Sequence, residues 1–306
     1  MATISGCAAS SGLAGGPAGD QARVPVSGHG VGSSNPGPIG VVAAENFWGS
    51  IAQQVGGEAV KVTSLVTDPN ADPHSYEVNS RDARLFAEAR LVVVNGAGYD
   101  DWATKVLRAN PSSKRSVLDV AALVGKKVGD NPHLWYSIEA VRRAGAAIAA
   151  DLSGIDPTRA AYFEQRLGSL NGALANLATR QDTIRASYAG TDVAATESIV
   201  VYLCQSLGLD LISPPAFMQA VSEGSDPPVA TVATFMDQII HNKARVLLYN
   251  SQTATAVTTH LLELARNHHV EVVAVTETLS PPTASYQAWM GAQLAALASA
   301  LGSSRR

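Results

Sequence analysis

The sequence predicts an α/β protein of two lobes, each built on a small parallel sheet flanked by helices, with one long rigid helix joining them. Three observations predict it. The 306 residues exceed the roughly 250 to 300 at which one hydrophobic core stops growing, and typical domains hold about 100 to 150. Short apolar runs alternate with stretches of helical spacing, once in the first half of the chain and again in the last third, as buried parallel strands joined by helices do. Between the two blocks lies a helical segment of some 30 residues; at about 1.5 Å per residue it makes a rod of about 45 Å, which spans two lobes rather than decorating one.

The elements follow in order. "IGVVAAE" (39–45), "AVKVTSLV" (59–66) and "RLVVVNG" (90–96) are apolar enough to be strands buried on both faces. Asn79 or Ser80 caps a helix running "SRDARLFAEA", and a second helix begins near "YDDWATKVL". A long helical region runs from about Leu134 to Ser187 and breaks near "SGIDPT". Its second half has Pro157 at its start, Gly190 past its end, and Tyr162, Leu167, Leu170, Leu174, Leu177 and Ile184 along one face. The alternation then restarts with strands in "DVAATES" (192–198), "ARVLLYN" (244–250) and "VEVVAVTE" (270–277), separated by the helices "VATFMDQIIHN" and "TAVTTHLLELARN" and closed by "SYQAWMGAQLAALASAL". The expected division is a leader and tether over 1–37, an N-terminal α/β lobe over 38–155, the linker helix over 156–188 and a C-terminal α/β lobe over 189–306.

Composition removes several function classes. A net charge of −4 offers no basic stripe for phosphates, so no nucleic-acid partner is expected. No apolar run reaches the 18 residues of a membrane span. The two cysteines, Cys7 and Cys204, stand too far apart for a CxxC zinc site or a disulfide framework. Ile4, Ser5, Gly6 and Cys7 resemble a bacterial lipobox, in which Cys7 would be lipidated and become the mature N-terminus; residues 1–6 then read as the truncated end of a signal segment. Residues 8–37 are Gly, Ser, Ala and Pro with almost no large apolar side chain, a tether whose root-mean-square span is roughly 30 Å.

Ligand sites in open α/β sheets gather beyond the C-terminal ends of the strands. Four candidates emerge on that criterion, two in each half: His74 in "TDPNADPH", His133 in "GDNPHLWYS", Glu197 after "DVAAT" and Glu277 after "VEVVAVT". Singly, each has an ordinary structural alternative as a loop histidine or a helix-start acid. Together they are two imidazoles and two carboxylates, a donor set for one divalent first-row metal ion whose charge the two acids balance. The prolines before both histidines restrict the loops that present the rings. His29 lies in the tether, and His241, His260, His268 and His269 sit on helices or at their ends without HExxH or HxxxH spacing, so they are set aside.

"DPHSYE" (72–77), "NPHLWYS" (131–137), "TES" (196–198), "TET" (276–278) and "RLVVVNGAGYDDW" together resemble the metal-binding solute receptors of ABC importers, the zinc, manganese and iron lipoproteins of cluster A-I, from Ile39 to about Leu301. The resemblance implies a single metal held in the cleft between the lobes by His74, His133, Glu197 and Glu277. The ion, one of Zn2+, Mn2+ or Fe2+, would be transported cargo. It implies an extracytoplasmic protein that is not an enzyme, a monomer anchored to the cell membrane by lipid at Cys7, with an ABC permease and its ATPase subunit as partners. Val78 stands where the first motif commonly has proline, Asn131 where the second often has aspartate, and Glu277 where aspartate is usual. Glu197, in place of a third histidine, and the lack of a His-rich loop resemble the manganese or iron members. The alternatives kept open are a metal-dependent hydrolase or an adhesin on the same fold, and, from "NGAGYDD" alone, a nucleotide-binding enzyme.

Overall fold

The computed structural model describes residues 37–68, 73 and 76–303. The elements, in chain order, are β1 (Ile39–Glu45), α1 (Asn46–Gly56), β2 (Val60–Val66), α2 (Ser80–Glu88), β3 (Leu91–Val94), α3 (Asp101–Ala109), β4 (Ser116–Asp119), α4 (Val120–Leu123), α5 (Ile138–Ile155), α6 (Ala160–Tyr188), β5 (Asp192–Ala195), α7 (Val201–Leu207), β6 (Asp210–Leu211), α8 (Pro215–Ser222), α9 (Val229–Ile240), β7 (Val246–Asn250), α10 (Ala256–Asn267), β8 (Glu271–Val275) and α11 (Tyr286–Gly302). They form two parallel four-stranded sheets, ordered β2-β1-β3-β4 and β6-β5-β7-β8. In each, the strand order reverses between the second and third positions, at β1/β3 and at β5/β7. Those reversals open a crevice at the strands' C-terminal ends.

Burial explains the strands. Val41, Val42, Ala43 and Ala44 of β1 and all four residues of β3 are buried, so these central strands carry apolar side chains on both faces. The edge strands β4 and β6 were not legible as apolar runs. "SVLD" and the dipeptide "DL" are short and half polar, which suits a strand with one unpaired edge. Asn79 caps α2, its side chain accepting from the N–H groups of Arg81 and Asp82, while the Asp82 carboxylate accepts the Asn79 N–H.

The 29 residues of α6 make a rod of about 43 Å. Its buried stripe is Phe163, Leu167, Leu170, Leu174, Leu177, Gln181 and Ile184. Tyr162, expected in that stripe, is only half-buried, and its hydroxyl accepts the Glu58 N–H at 3.2 Å. The rod packs on α1 and α5 from the first half of the chain and on α7 and α11 from the second. Close approach at α5 depends on Gly145, where a Cβ would meet Leu170 Cδ2 at 2.8 Å. One continuous apolar core therefore runs from Ile39 through α6 to Leu301, and residues from Gly37 onward form one compact unit holding both sheets.

The turn that leads from β3 toward the crevice takes positive φ at Gly96, Ala97 and Gly98, and Gly96 is the position with no room for a side chain. Gly96 has φ +78°, and a Cβ there would stand 2.2 Å from Asp119 Oδ1 and 2.9 Å from Ala121 Cβ. Gly96→Ala is expected to cost at least about 2 kcal/mol, from left-handed strain plus the clash, read as a lower urea midpoint with an unchanged slope.

Candidate metal centre

His133 follows β4 and precedes a 3-10 turn at Leu134–Tyr136. It is fully buried, and its position is fixed from two sides. Asn131 Oδ1 accepts the His133 backbone N–H at 2.9 Å and lies 2.8 Å from Nδ1. An amide oxygen only accepts, so Nδ1 carries a proton, and Nε2 is the nitrogen that faces the two acids. Asn95, just past β3, donates to the Pro132 carbonyl at 2.8 Å and accepts from Trp48 Nε1 at 3.2 Å, which holds the peptide before the histidine. Trp135 packs against the ring edge-on with centroids 5.2 Å apart, and itself stacks on Phe47 at 4.1 Å.

The two acids come from the other sheet. Glu197 lies two residues past β5 and caps a short 3-10 turn; Glu277 lies two residues past β8. Both are fully buried. Glu197 Oε1 stands 3.2 Å from His133 Nε2, and Glu277 Oε2 3.6 Å from it. Donor atoms of His133, Glu197 and Glu277 all lie within 4.8 Å of one another, the one such group among the described residues. His74 and Cys7, singled out in the sequence, lie outside the described residues, as does His29. Of the histidines set aside, His241 and His268 end α9 and α10, and His260 is exposed on α10.

The acids are held in turn by neutral donors. Ser222 Oγ donates to Glu197 Oε1, Tyr99 OH donates to Glu277 Oε2 at 3.0 Å, and one nitrogen, Asn250 Nδ2, donates at 2.7 Å both to Glu197 Oε2 and to Glu277 Oε1. Burial opposes ionisation of Glu197, but the His133 ring, the Ser222 hydroxyl and the Asn250 amide together hold its carboxyl below the ordinary value. Burial and the neighbouring Glu197 charge push Glu277 well above it. Two carboxyls in one dry pocket cannot both ionise cheaply without a cation between them, and a divalent ion would remove that conflict. The chemistry of the donor set thus suits such an ion.

Both sheets are tied together around this centre. Asn131 Nδ2 donates to the Ser198 carbonyl and Tyr202 OH to the Asn131 carbonyl, each at 2.8 Å, while Tyr286 OH donates to the Trp135 carbonyl at 2.7 Å. The residues that orient His133 are therefore anchored beside Glu197 as well.

A family profile described as "ZnuA: Zinc-uptake complex component A periplasmic" matches residues 41–300 of this sequence. The chain belongs to the ZnuA family. It is similar to the manganese ABC transporter substrate-binding lipoprotein PsaA of Streptococcus pneumoniae serotype 4, at 29% identity over 140 residues, which is 42% of this chain and 45% of that protein. It is equally similar to the manganese-binding lipoprotein MntA of Bacillus subtilis, at 29% over 141 residues, covering 44% and 46%. The chain spans about half the length of the curated relatives it matches. Among solved structures, the periplasmic zinc binding protein TroA from Treponema pallidum superposes with a TM-score of 0.74 at 16% identity, over 87% of this chain and 99% of that one. That likeness bears out the expected fold.

Several residues that build the pocket of this ZnuA-family chain escape sequence reasoning. Asn250 and Glu45 end the strands β7 and β1 and so met the positional criterion used for the ligands, yet neither was singled out. Glu45 is fully buried, and burial, then the nearby Asp100 carboxyl, push its pKa well above the carboxylate range. Ser222 lies at the end of α8 and gives no signal in sequence. The glycine turn "NGAGYDD" is not a phosphate cradle: Asp100 accepts the Asn95 and Gly96 N–H groups at 2.6 and 2.8 Å, and burial pushes that acid up to about 6 against those bonds. The turn's amides serve the fold.

Proposed function

We propose that this ZnuA-family chain is the extracytoplasmic solute-binding receptor of an ABC importer. It captures one divalent transition metal ion as cargo and delivers it to a membrane permease driven by an ATPase subunit. His133, Glu197 and Glu277 are assigned as ligands, with His74 as the fourth. The observation that carries this reading is the convergence, within 4.8 Å, of three fully buried donors contributed by both parallel sheets. A receptor needs such a site: ligands from two halves enclose the ion, and parting the halves removes them together. Anchoring through a lipid on Cys7, with residues 8–37 as tether, accords with the lipoprotein names of the manganese-binding relatives.

Which divalent ion is carried depends on supply as well as affinity. The similar proteins are named for manganese and for zinc. At a site of imidazoles and carboxylates zinc binds more tightly than manganese at equilibrium. Metal-stripped protein, loaded with excess Zn2+ or Mn2+ and dialysed, should keep one ion per chain by elemental analysis. No retained metal under either loading would remove the receptor reading.

A further inference from the structure

Asn250 closes β7 and is fully buried between the two acids. Its orientation is unambiguous. Oδ1 accepts the Gln252 backbone N–H at 3.0 Å, so Nδ2 must face the carboxylates, where its two hydrogens go one each to Glu197 Oε2 and Glu277 Oε1. Asn250 is braced against the segments that carry those acids. Its own N–H donates to Thr196 Oγ1, the residue before Glu197. Gln252 exchanges bonds with Thr278, the residue after Glu277: the Thr278 N–H donates to Gln252 Oε1 at 3.0 Å, and Gln252 Nε2 donates to Thr278 Oγ1 at 3.1 Å.

The consequence lies in which oxygens are left over. The atoms nearest His133 Nε2 are Glu197 Oε1 and Glu277 Oε2; the atoms on Asn250 are the other oxygen of each acid. One amide nitrogen thus draws one oxygen of each carboxylate away from the crevice. Resting on the metal-capture reading above, we propose that Asn250 is a specificity-determining positioning residue that holds both acids to one ligand oxygen apiece. With one oxygen from each acid, the three described donors supply three ligand atoms rather than five, which keeps the total low. Four N/O ligands suit tetrahedral zinc, whereas manganese favours six, rich in oxygen. Without the amide, the second oxygen of each glutamate is released to chelate beside the first, which Ser222 and Tyr99 still hold, and the site moves toward the larger coordination number.

The test uses the full chain, with Zn2+, Mn2+ and Co2+ as probes. In competition titrations, Asn250→Ala is expected to narrow the ratio of zinc to manganese affinity by about tenfold, the lower end of what outer-shell residues contribute. Its Co2+ form should lose visible absorption intensity as the ion leaves four-coordination. Asn250→Ser, which keeps one donor, should give an intermediate shift and serves if the alanine variant fails to fold. Equal losses for zinc and manganese, with the Co2+ bands unchanged, would show a merely structural asparagine and overturn the proposal. A wild-type chain that binds none of the three ions would instead overturn the receptor reading on which it rests.

Discussion

Alanine at His133 is expected to weaken divalent-metal binding by at least about 100-fold, because it removes a proposed direct ligand where even outer-shell partners are worth 10- to 100-fold. The ring is fully buried, oriented by Asn131 and faces both acids, and among the described residues no other histidine is grouped with them. Truncation would leave Glu197 and Glu277 confronting each other in a dry pocket, and one of them would keep a proton in place of sharing an ion. His260→Ala is the control: that histidine is exposed on α10 and outside the centre, so its affinity should match the wild type in the same competition titration. Parallel losses in both variants would point to a general effect on folding.

The second large effect is on stability. Trp135 is fully buried, stacked on Phe47 at 4.1 Å with an interplanar angle of 19°, and tilted against Tyr99 at 4.9 Å. It floors the pocket below His133 and belongs to the core shared by both sheets. Trp135→Ala should cost about 3 to 5 kcal/mol, the lost transfer energy plus the cavity that the rigid aromatic neighbours cannot refill. Equilibrium urea unfolding of metal-free protein measures this without the contribution of bound ion. Val128→Ala, at a side chain 74% exposed, should stay within about 0.5 kcal/mol.

The fold was legible where burial imposes a long apolar pattern. β1, β2, β3, β5, β7 and β8 show as apolar runs, and α6 as a leucine stripe with proline before it and glycine after. β4 and β6 were not: β6 has only two residues, and of the four in β4 only Leu118 is buried, so neither makes an apolar run. The substitution of Phe163 for Tyr162 in the buried stripe of α6 is a matter of helix rotation, which only the neighbouring helices set.

The candidate site divides along the same physical line. Charged and imidazole donors at strand ends stand out because such residues need a reason to be buried. Asn250, Tyr99 and Ser222 are neutral and act through geometry, which appears only once β7, the β3–α3 turn and α8 have been brought together. Asn131 was visible as a departure from the family pattern, but its double role was not. It fixes the His133 tautomer with its oxygen and reaches Ser198 with its nitrogen, a donor that aspartate lacks.

The most direct test is a zinc-edge anomalous difference map of the metal-loaded protein. The account predicts one strong peak per chain, about 2.0 to 2.2 Å from His133 Nε2, Glu197 Oε1 and Glu277 Oε2, in the crevice between the two sheets. A strong peak elsewhere, with no density bridging those three side chains, would contradict it.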